Sequence, residues 1–185
     1  KQGYEIAKQL VNRGAKVTLI SGPTNFQSPQ NVKLISVKTA DEMLLQTNKY
    51  NKKIDVAVFC AAISDFKVLT ISNKKIKKDT LTTLKLIKNI DILKKISTQK
   101  TNRPKFIVGF SAETDSKILA KKKLEEKNCN MIIYNKISKK NKVFGLDENK
   151  ISILTKNKIV NYSKFSKLKC ANLILDSIFN EIKNK

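Results

Sequence analysis

The run IDVAVFCAA, Ile54 to Ala62, decides the fold. It is almost continuously apolar, rich in valine and isoleucine, and shows no polar–apolar alternation. A strand wetted on one face alternates, whereas a strand covered on both faces does not, and strands of the second kind belong to parallel sheets flanked by helices. The run is far too short to cross a membrane, which takes about 20 apolar residues. It therefore reads as the central strand of an α/β sheet, and the chain on either side can be tested against that frame.

Upstream, YEIAKQLVNRGA (4–15) places Ile6, Ala7, Leu10 and Val11 at helical spacing and stops at Gly14, a natural residue just past a helix end. KVTLIS (16–21) reads as a buried strand closed by the turn SGPT, and VKLISV (32–37) as a second strand. TADEMLLQTNKY (39–50) reads as a helix, with Thr39 as N-cap and Glu42 three residues on in a capping-box pattern. Downstream, LTTLKLIK (81–88) is a strand pattern and DILKKIST (91–98) a short helix opened by Asp91. KFIVGFSAE (105–113) is a buried strand, SKILAKKKLEEKN (116–128) a helix and CNMIIYN (129–135) another strand. ISILT and KIVNYS flank KNK at 156–158 as a hairpin, and residues 166–184 close as an amphipathic helix.

Strand and helix in alternation predict a Rossmann-like, doubly wound, mostly parallel sheet with antiparallel edge strands at its C-terminal side. The 185 residues, 41% of them hydrophobic, suit one domain spanning 1–185. A sheet of this kind opens with a strand and a tight turn before its first helix. Lys1-Gln2-Gly3 already enters that helix, so the expectation is a domain truncated at its N-terminus, lacking the first strand and loop.

The chain has no histidine, which removes histidine acid–base, triad and metal chemistry. Cys60, Cys129 and Cys170 form no CxxC pair, and Cys60 and Cys129 lie in apolar runs, as free thiols in a reducing, cytoplasmic setting do. The formal net charge of +23 invites a nucleic-acid reading, yet the basic residues are nearly all lysine, with Arg13 and Arg103 the only arginines. They are spread along the whole chain rather than focused on one element.

In open α/β sheets ligands bind beyond the carboxyl ends of the strands. That singles out Ser21-Gly22-Pro23, Ala61 to Asp65, Phe110 to Thr114 and Asn135. Asp65 is a carboxylate placed to meet a metal ion or a ligand hydroxyl, and Asp91 is either an N-cap or the start of an anion-binding segment. Residues 63–80 are too long for an ordinary connection and carry Lys74, Lys75, Lys77 and Lys78 around Ile76, which is either a solvated loop or a functional one. Lys123 and Lys127 share one helix face. Neither a Walker A motif nor GxGxxG is present. Read residue by residue, the chain is a doubly wound domain with an anionic ligand at its strand ends. An NAD(P)-binding enzyme and a basic nucleic-acid module stand as alternatives.

Several segments together are more specific. GYEIAKQLVNRGAKVTLISGPT, AAISDF, KKIKK, LIKNIDIL, VGFSAET and KKKLEEKNCNMIIYN occur in that order over nearly all of residues 3–155. They resemble the successive motifs of the phosphopantothenoylcysteine synthetase (phosphopantothenate–cysteine ligase) family, in most bacteria the C-terminal half of a bifunctional protein whose N-terminal half is a flavin-dependent decarboxylase. The resemblance implies that the carboxylate of 4′-phosphopantothenate attacks CTP, releasing pyrophosphate and leaving an acyl-cytidylate. Cysteine then displaces CMP. It implies Mg²⁺ with the nucleotide, FMN only in the upstream decarboxylase, and a homodimer to which the C-terminal hairpin region contributes.

Carried over by motif, the resemblance implies that Phe59, Cys60 and Ala61 line CTP with backbone and that Asp65 faces the nucleotide or its Mg²⁺. It makes Lys75 the catalytic lysine, supported by Lys77 and Lys78, on a flap spanning 63–80 that Ile76 docks. Ile90, Asp91, Ile92 and Leu93 would hold the nucleotide, Phe110 would pack on it, and Lys123 and Lys127 would complete the phosphate contacts. Four positions depart from the pattern. Ile90 replaces a proline, Ser64 and Ser111 replace alanines, and Asn130 replaces an aspartate. The asparagine-containing segment that the family associates with the second half-reaction has no counterpart within residues 1–185.

Overall fold

The structure is a computed structural model that describes residues 1–52, 54–72, 74–77, 83–113, 117–136 and 147–184, with backbone only at 113, 117 and 136. Lys78, Thr114, the rest of the segment 78–82 and the Lys/Asn-rich stretch 137–146 lie outside the described residues.

The main sheet is built around the quoted run. Its strand is β3 (Val56–Phe59), which pairs in parallel with β6 (Phe106–Glu113), and β6 pairs in parallel with β7 (Met131–Lys136). Antiparallel β8 (Glu148–Thr155) and β9 (Ile159–Ser166) complete the order β3-β6-β7-β8-β9, so the C-terminal hairpin forms the antiparallel edge. β1 (Val17–Ser21) and β2 (Val32–Ser36) form a separate parallel pair. β4 (Phe66–Val68) and β5 (Leu86–Lys88) form a short antiparallel ribbon.

Helices cover both faces. On one face α1 (Gln2–Asn12) and α5 (Lys167–Lys183) bury Ile6, Cys170, Ala171, Ile174, Leu175 and Ile178 against Phe106, Val108, Met131, Ile133, Ile151 and Ile153. On the other, Ala120 and Leu124 of α4 (Lys117–Glu126) meet Ile132, Tyr134 and Leu154. Successive residues of β7 thus enter opposite cores, which is why its sequence shows no polar alternation. α2 (Ala40–Tyr50) and α3 (Ile92–Ser97) pack against each other, with Leu93 of α3 lying over Gly109 of β6.

Four details differ from the reading of the sequence. The decisive run yields only four strand residues, each half-buried, because β3 is an edge of its sheet here rather than a central strand. Only residues 86–88 of the 81–88 pattern are strand among the described residues. The sheet also divides into a five-stranded and a two-stranded part, since β1 and β3 are not bonded to each other. Two of the thiols are less hidden than expected, with Cys60 and Cys129 half-buried and Cys170 fully buried, and all three are free.

Candidate active site

The loop leaving the carboxyl end of β3 meets the segment between β5 and α3, and the start of α3 meets the end of α4. The loop after β3, AAISDF, is held by Asn89, which follows β5. The Asn89 backbone amide donates to the Asp65 carbonyl (2.7 Å), and its side-chain amide donates to the Ser64 carbonyl (3.1 Å). The ribbon of β4 and β5 adds the pair Phe66–Lys88 beside this clamp. Asp65 thereby has a fixed backbone, while its carboxylate is exposed and makes no hydrogen bond or ion pair with the described residues. Asn89 was not among the predicted site residues, although it stands in the quoted LIKNIDIL segment.

Two residues further on, Asp91 has two roles at once. Its Oδ1 accepts from the Lys94 amide (3.0 Å), capping α3, and its Oδ2 pairs with the Lys127 ammonium (3.0 Å). Partial burial pushes its carboxyl up, but the Lys94 amide and the Lys127 charge outweigh that and hold it below the ordinary carboxylate range. Ile92 and Leu93 are buried, Leu93 against Gly109 of β6. Phe110 is partly buried against the first core cluster.

At the other side of the strand ends stands α1. A Cβ on Gly3 would lie 2.7 Å from Cys60 Sγ, so only glycine lets α1 start this close to the end of β3. The next residue, Tyr4, donates its hydroxyl to Ser21 Oγ at the end of β1 (3.1 Å). Burial raises the thiols, Cys129 and Cys170 to about 11 and Cys60 in the same direction, so none is poised as a thiolate.

The structure thus brings Asp65, Ile90 and Asp91 together through Asn89, and Asp91 to Lys127. It does not join Lys75 to them. Lys75 is exposed on the segment after β4, between a turn held by the Ser72 hydroxyl, which donates to the Lys74 carbonyl (2.7 Å), and Ile76, itself 46% exposed. Lys123 is half-buried on α4 one turn before Lys127. An open groove of about 690 Å³ lies elsewhere, between α1, the β1–β2 loop and the start of α5, and no predicted site residue lines it.

The departure at Asn130 is accommodated. Its Oδ1 accepts from the Ile107 amide (2.8 Å) and from Arg103 Nη2 (3.4 Å), a purely structural role that an amide oxygen fills as a carboxylate would. Arg103 also donates to the Ser97 and Asn128 carbonyls, tying the end of α3 to the start of β7.

Residues 1–182 match the model of the DNA/pantothenate metabolism flavoprotein C-terminal domain. The chain belongs to that family. It is 41% identical over 181 residues to the coenzyme A biosynthesis bifunctional protein CoaBC of Haemophilus influenzae, covering 96% of this chain and 44% of that one. It is 37% identical over 183 residues to the protein of the same name from Borreliella burgdorferi, covering 97% and 46%. The chain therefore spans about half the length of these curated relatives. A crystal structure of the C-terminal domain of CoaBC superposes with a TM-score of 0.82 at 29% identity, over 100% of this chain and 83% of that one. The DNA/pantothenate metabolism flavoprotein of Streptococcus pneumoniae shares the fold, with a TM-score of 0.75 at 18% identity.

Proposed function

We propose that this domain is a phosphopantothenate–cysteine ligase of coenzyme A biosynthesis, acting through an acyl-cytidylate. The observation that carries the reading is the cluster formed by the loop after β3, the start of α3 and the end of α4. An exposed carboxylate (Asp65), a capping carboxylate (Asp91) and its lysine (Lys127) are gathered there by one asparagine, within a chain of this family.

The proposed reaction needs charge management rather than a strong base. In the first step a carboxylate oxygen of 4′-phosphopantothenate bonds to the α-phosphorus of CTP, and the bond to the bridging oxygen breaks as pyrophosphate leaves. In the second the cysteine amine bonds to the acyl carbon, CMP leaves with the acyl–oxygen electron pair, and the amine proton passes to solvent. Two anions meet in the first step, and negative charge grows on the α-phosphate, so positioned cations stabilise the transition state most. Lys75 is assigned that role, with Lys77, Lys123 and Lys127 as further phosphate partners. Phe59, Cys60 and Ala61 line the nucleotide with backbone, Ile90 to Leu93 hold it beside them, and Phe110 flanks it.

Mg²⁺ bound with a nucleotide usually takes only one or two protein carboxylates, the remaining positions being phosphate and water. The exposed, unpaired carboxylate of Asp65 fits that mode, and no group of three metal-ligating side chains occurs among the described residues. Bound there, Mg²⁺ would neutralise phosphate charge. Residues 63–80 are assigned as a flap closing over the nucleotide. The exposure of Leu69 (53%), Ile71 (77%) and Ile76 supports this, because such side chains gain from being covered. A homodimer, a cytoplasmic setting and a flavin-dependent decarboxylase joined upstream complete the proposal. The described residues include no helix long and apolar enough to cross a membrane.

The test is pyrophosphate release by the protein expressed from its whole reading frame, given CTP, Mg²⁺, 4′-phosphopantothenate and cysteine. Release is expected, and Lys75→Gln should lower it at least ~100-fold, the scale of losing one transition-state contact, with the circular dichroism spectrum unchanged. Absence of release, or release untouched by the substitution, would sink the assignment.

A further inference from the structure

We infer that Lys167, at the start of α5, is a further phosphate-binding residue of this domain, its ammonium taking a phosphate group of a substrate in the groove beside α1. The identity of that substrate rests on the ligase reading, whereas the phosphate chemistry rests on the site itself. Lys167 is 8% exposed and lines the groove together with Tyr4 and Lys8. Its backbone is fixed on both sides. The amide donates to the Asp147 carbonyl (2.8 Å), and the carbonyl accepts from the Gln2 side-chain amide (3.1 Å). The ammonium, by contrast, makes no hydrogen bond or ion pair with the described residues.

Lysine is almost never buried this far unless it is paired, because an unpaired charge loses its hydration without compensation. The Asp147 carboxylate is already taken by Lys1. Burial and the positive charge of Lys1 push the Lys167 ammonium below the ordinary lysine range, and the attraction of Asp147 does not offset them. Its position adds to the imbalance. The register sets Ile151 opposite Asn135 and Ser166 opposite Glu148, so α5 starts at the carboxyl end of β7. α1 starts beside the carboxyl end of β3, where Gly3 meets Cys60, and the bond from Gln2 to Lys167 joins the two helix starts. The start of a helix carries partial positive charge and favours anions. α5 nevertheless has Lys167 as its first residue and no acidic residue in its first turn. Glu5 of α1 also lines the groove, but it does not pair with Lys167.

Two helix starts and a buried cation, open to a groove and without a counter-charge, suit an anion. Phosphate fits best, since its oxygens accept from a lysine point charge and from helix-start amides together. Both phosphorylated substrates of the proposed reaction offer one, CTP its polyphosphate and 4′-phosphopantothenate its 4′-phosphate. The start of α1 touches Cys60, from which the chain runs on to Asp65, so a phosphate at Lys167 lies across that helix start from the loop carrying Asp65.

The test is Lys167→Met in the protein expressed from its whole reading frame, with Lys169→Met, an exposed position on the same helix, as control. Methionine keeps an unbranched stem and a good helix propensity and removes the charge. Without ligand the Lys167→Met protein should melt at the wild-type temperature or above it, since the ammonium has no partner to lose. Calorimetry with CTP and Mg²⁺, and separately with 4′-phosphopantothenate, should show one Kd raised at least ~10-fold, the scale of one charge-assisted hydrogen bond. A raised Kd for CTP assigns Lys167 to the polyphosphate, and a raised Kd for 4′-phosphopantothenate assigns it to the 4′-phosphate. Lys167→Arg should recover part of the loss, and Lys169→Met should bind as wild type does. A melting temperature several degrees lower for unliganded Lys167→Met would show that the ammonium serves the fold, and would overturn the inference. So would unchanged affinity for both ligands, or a wild type that binds neither. A wild type that binds one of them through Lys167 yet releases no pyrophosphate would sink the ligase reading alone and leave the phosphate site standing.

Discussion

Asp91 shows how one carboxylate can be read in two ways and satisfy both. As an N-cap it accepts from Lys94, and as an ion-pair partner it holds Lys127, just past the end of α4. Its side chain is 42% exposed, so the pair with Lys127 is worth less than about 1 kcal/mol to stability. The sign with pH is nevertheless definite. Its folded pKa lies below the unfolded value of about 3.9, so its contribution is complete above that value and is lost as pH falls through the folded pKa. Asp91→Asn keeps a good capping side chain and removes only the charge. Urea titrations should show wild type more stable than this variant by a constant margin from pH 8 to about 5, narrowing as pH falls below about 4. A margin that persisted in acid would mean that the charge is not what stabilises. At this scale the sequence made Asp91, Asp65 and Lys127 visible through strand-end position and motif. Asn89 escaped because an asparagine between a strand and a helix is ordinary turn composition, and its double bond to residues 64 and 65 spans 24 or more positions.

Among the elements, α2 depends most on its own ends. None of its residues is fully buried, and Leu45 is 66% exposed, so packing contributes little. Thr39 Oγ1 accepts from the Glu42 amide (3.1 Å), as the sequence predicts. Glu42 reaches back one residue further than a capping box requires, to the Lys38 amide (2.7 Å). Thr39→Ala should therefore cost about 1 kcal/mol, and amide exchange within 40–50 should accelerate while that of β7 does not change. Unchanged exchange in α2 would show that tertiary contacts, not the cap, hold it. The contrast with β4 is instructive about legibility. Helices announced themselves by period, the buried strands by continuous apolar runs, and the hairpin by its short polar turn. β4 has three residues, lies inside what reads as a loop, and pairs with β5 about 20 positions away, as in Phe66 with Lys88. Three residues carry no period, and the pairing is a tertiary fact.

The whole molecule carries a net charge of +23 on 185 residues, and this sets its response to salt. Seven ion pairs occur among the described side chains, from Lys1–Asp147 to Lys164–Glu148, and most are exposed, Lys105–Asp55 with side chains 80% and 75% accessible. Pairs of that kind contribute about 0–1 kcal/mol each and are screened readily. Opposing them is the self-repulsion of a large excess of lysines spread along the chain, a longer-range term that salt also screens. The Debye length falls from about 14 Å at 0.05 M to about 4 Å at 0.5 M ionic strength, which removes more repulsion between distant lysines than attraction within contacts near 3 Å. The melting temperature should therefore rise by a few degrees as sodium chloride goes from about 0.05 to 0.5 M, chloride being chosen because sulfate strengthens apolar burial as well. A melting temperature that falls over this range would mean the ion pairs outweigh the excess charge, and that the lysines are placed as partners rather than spread by composition.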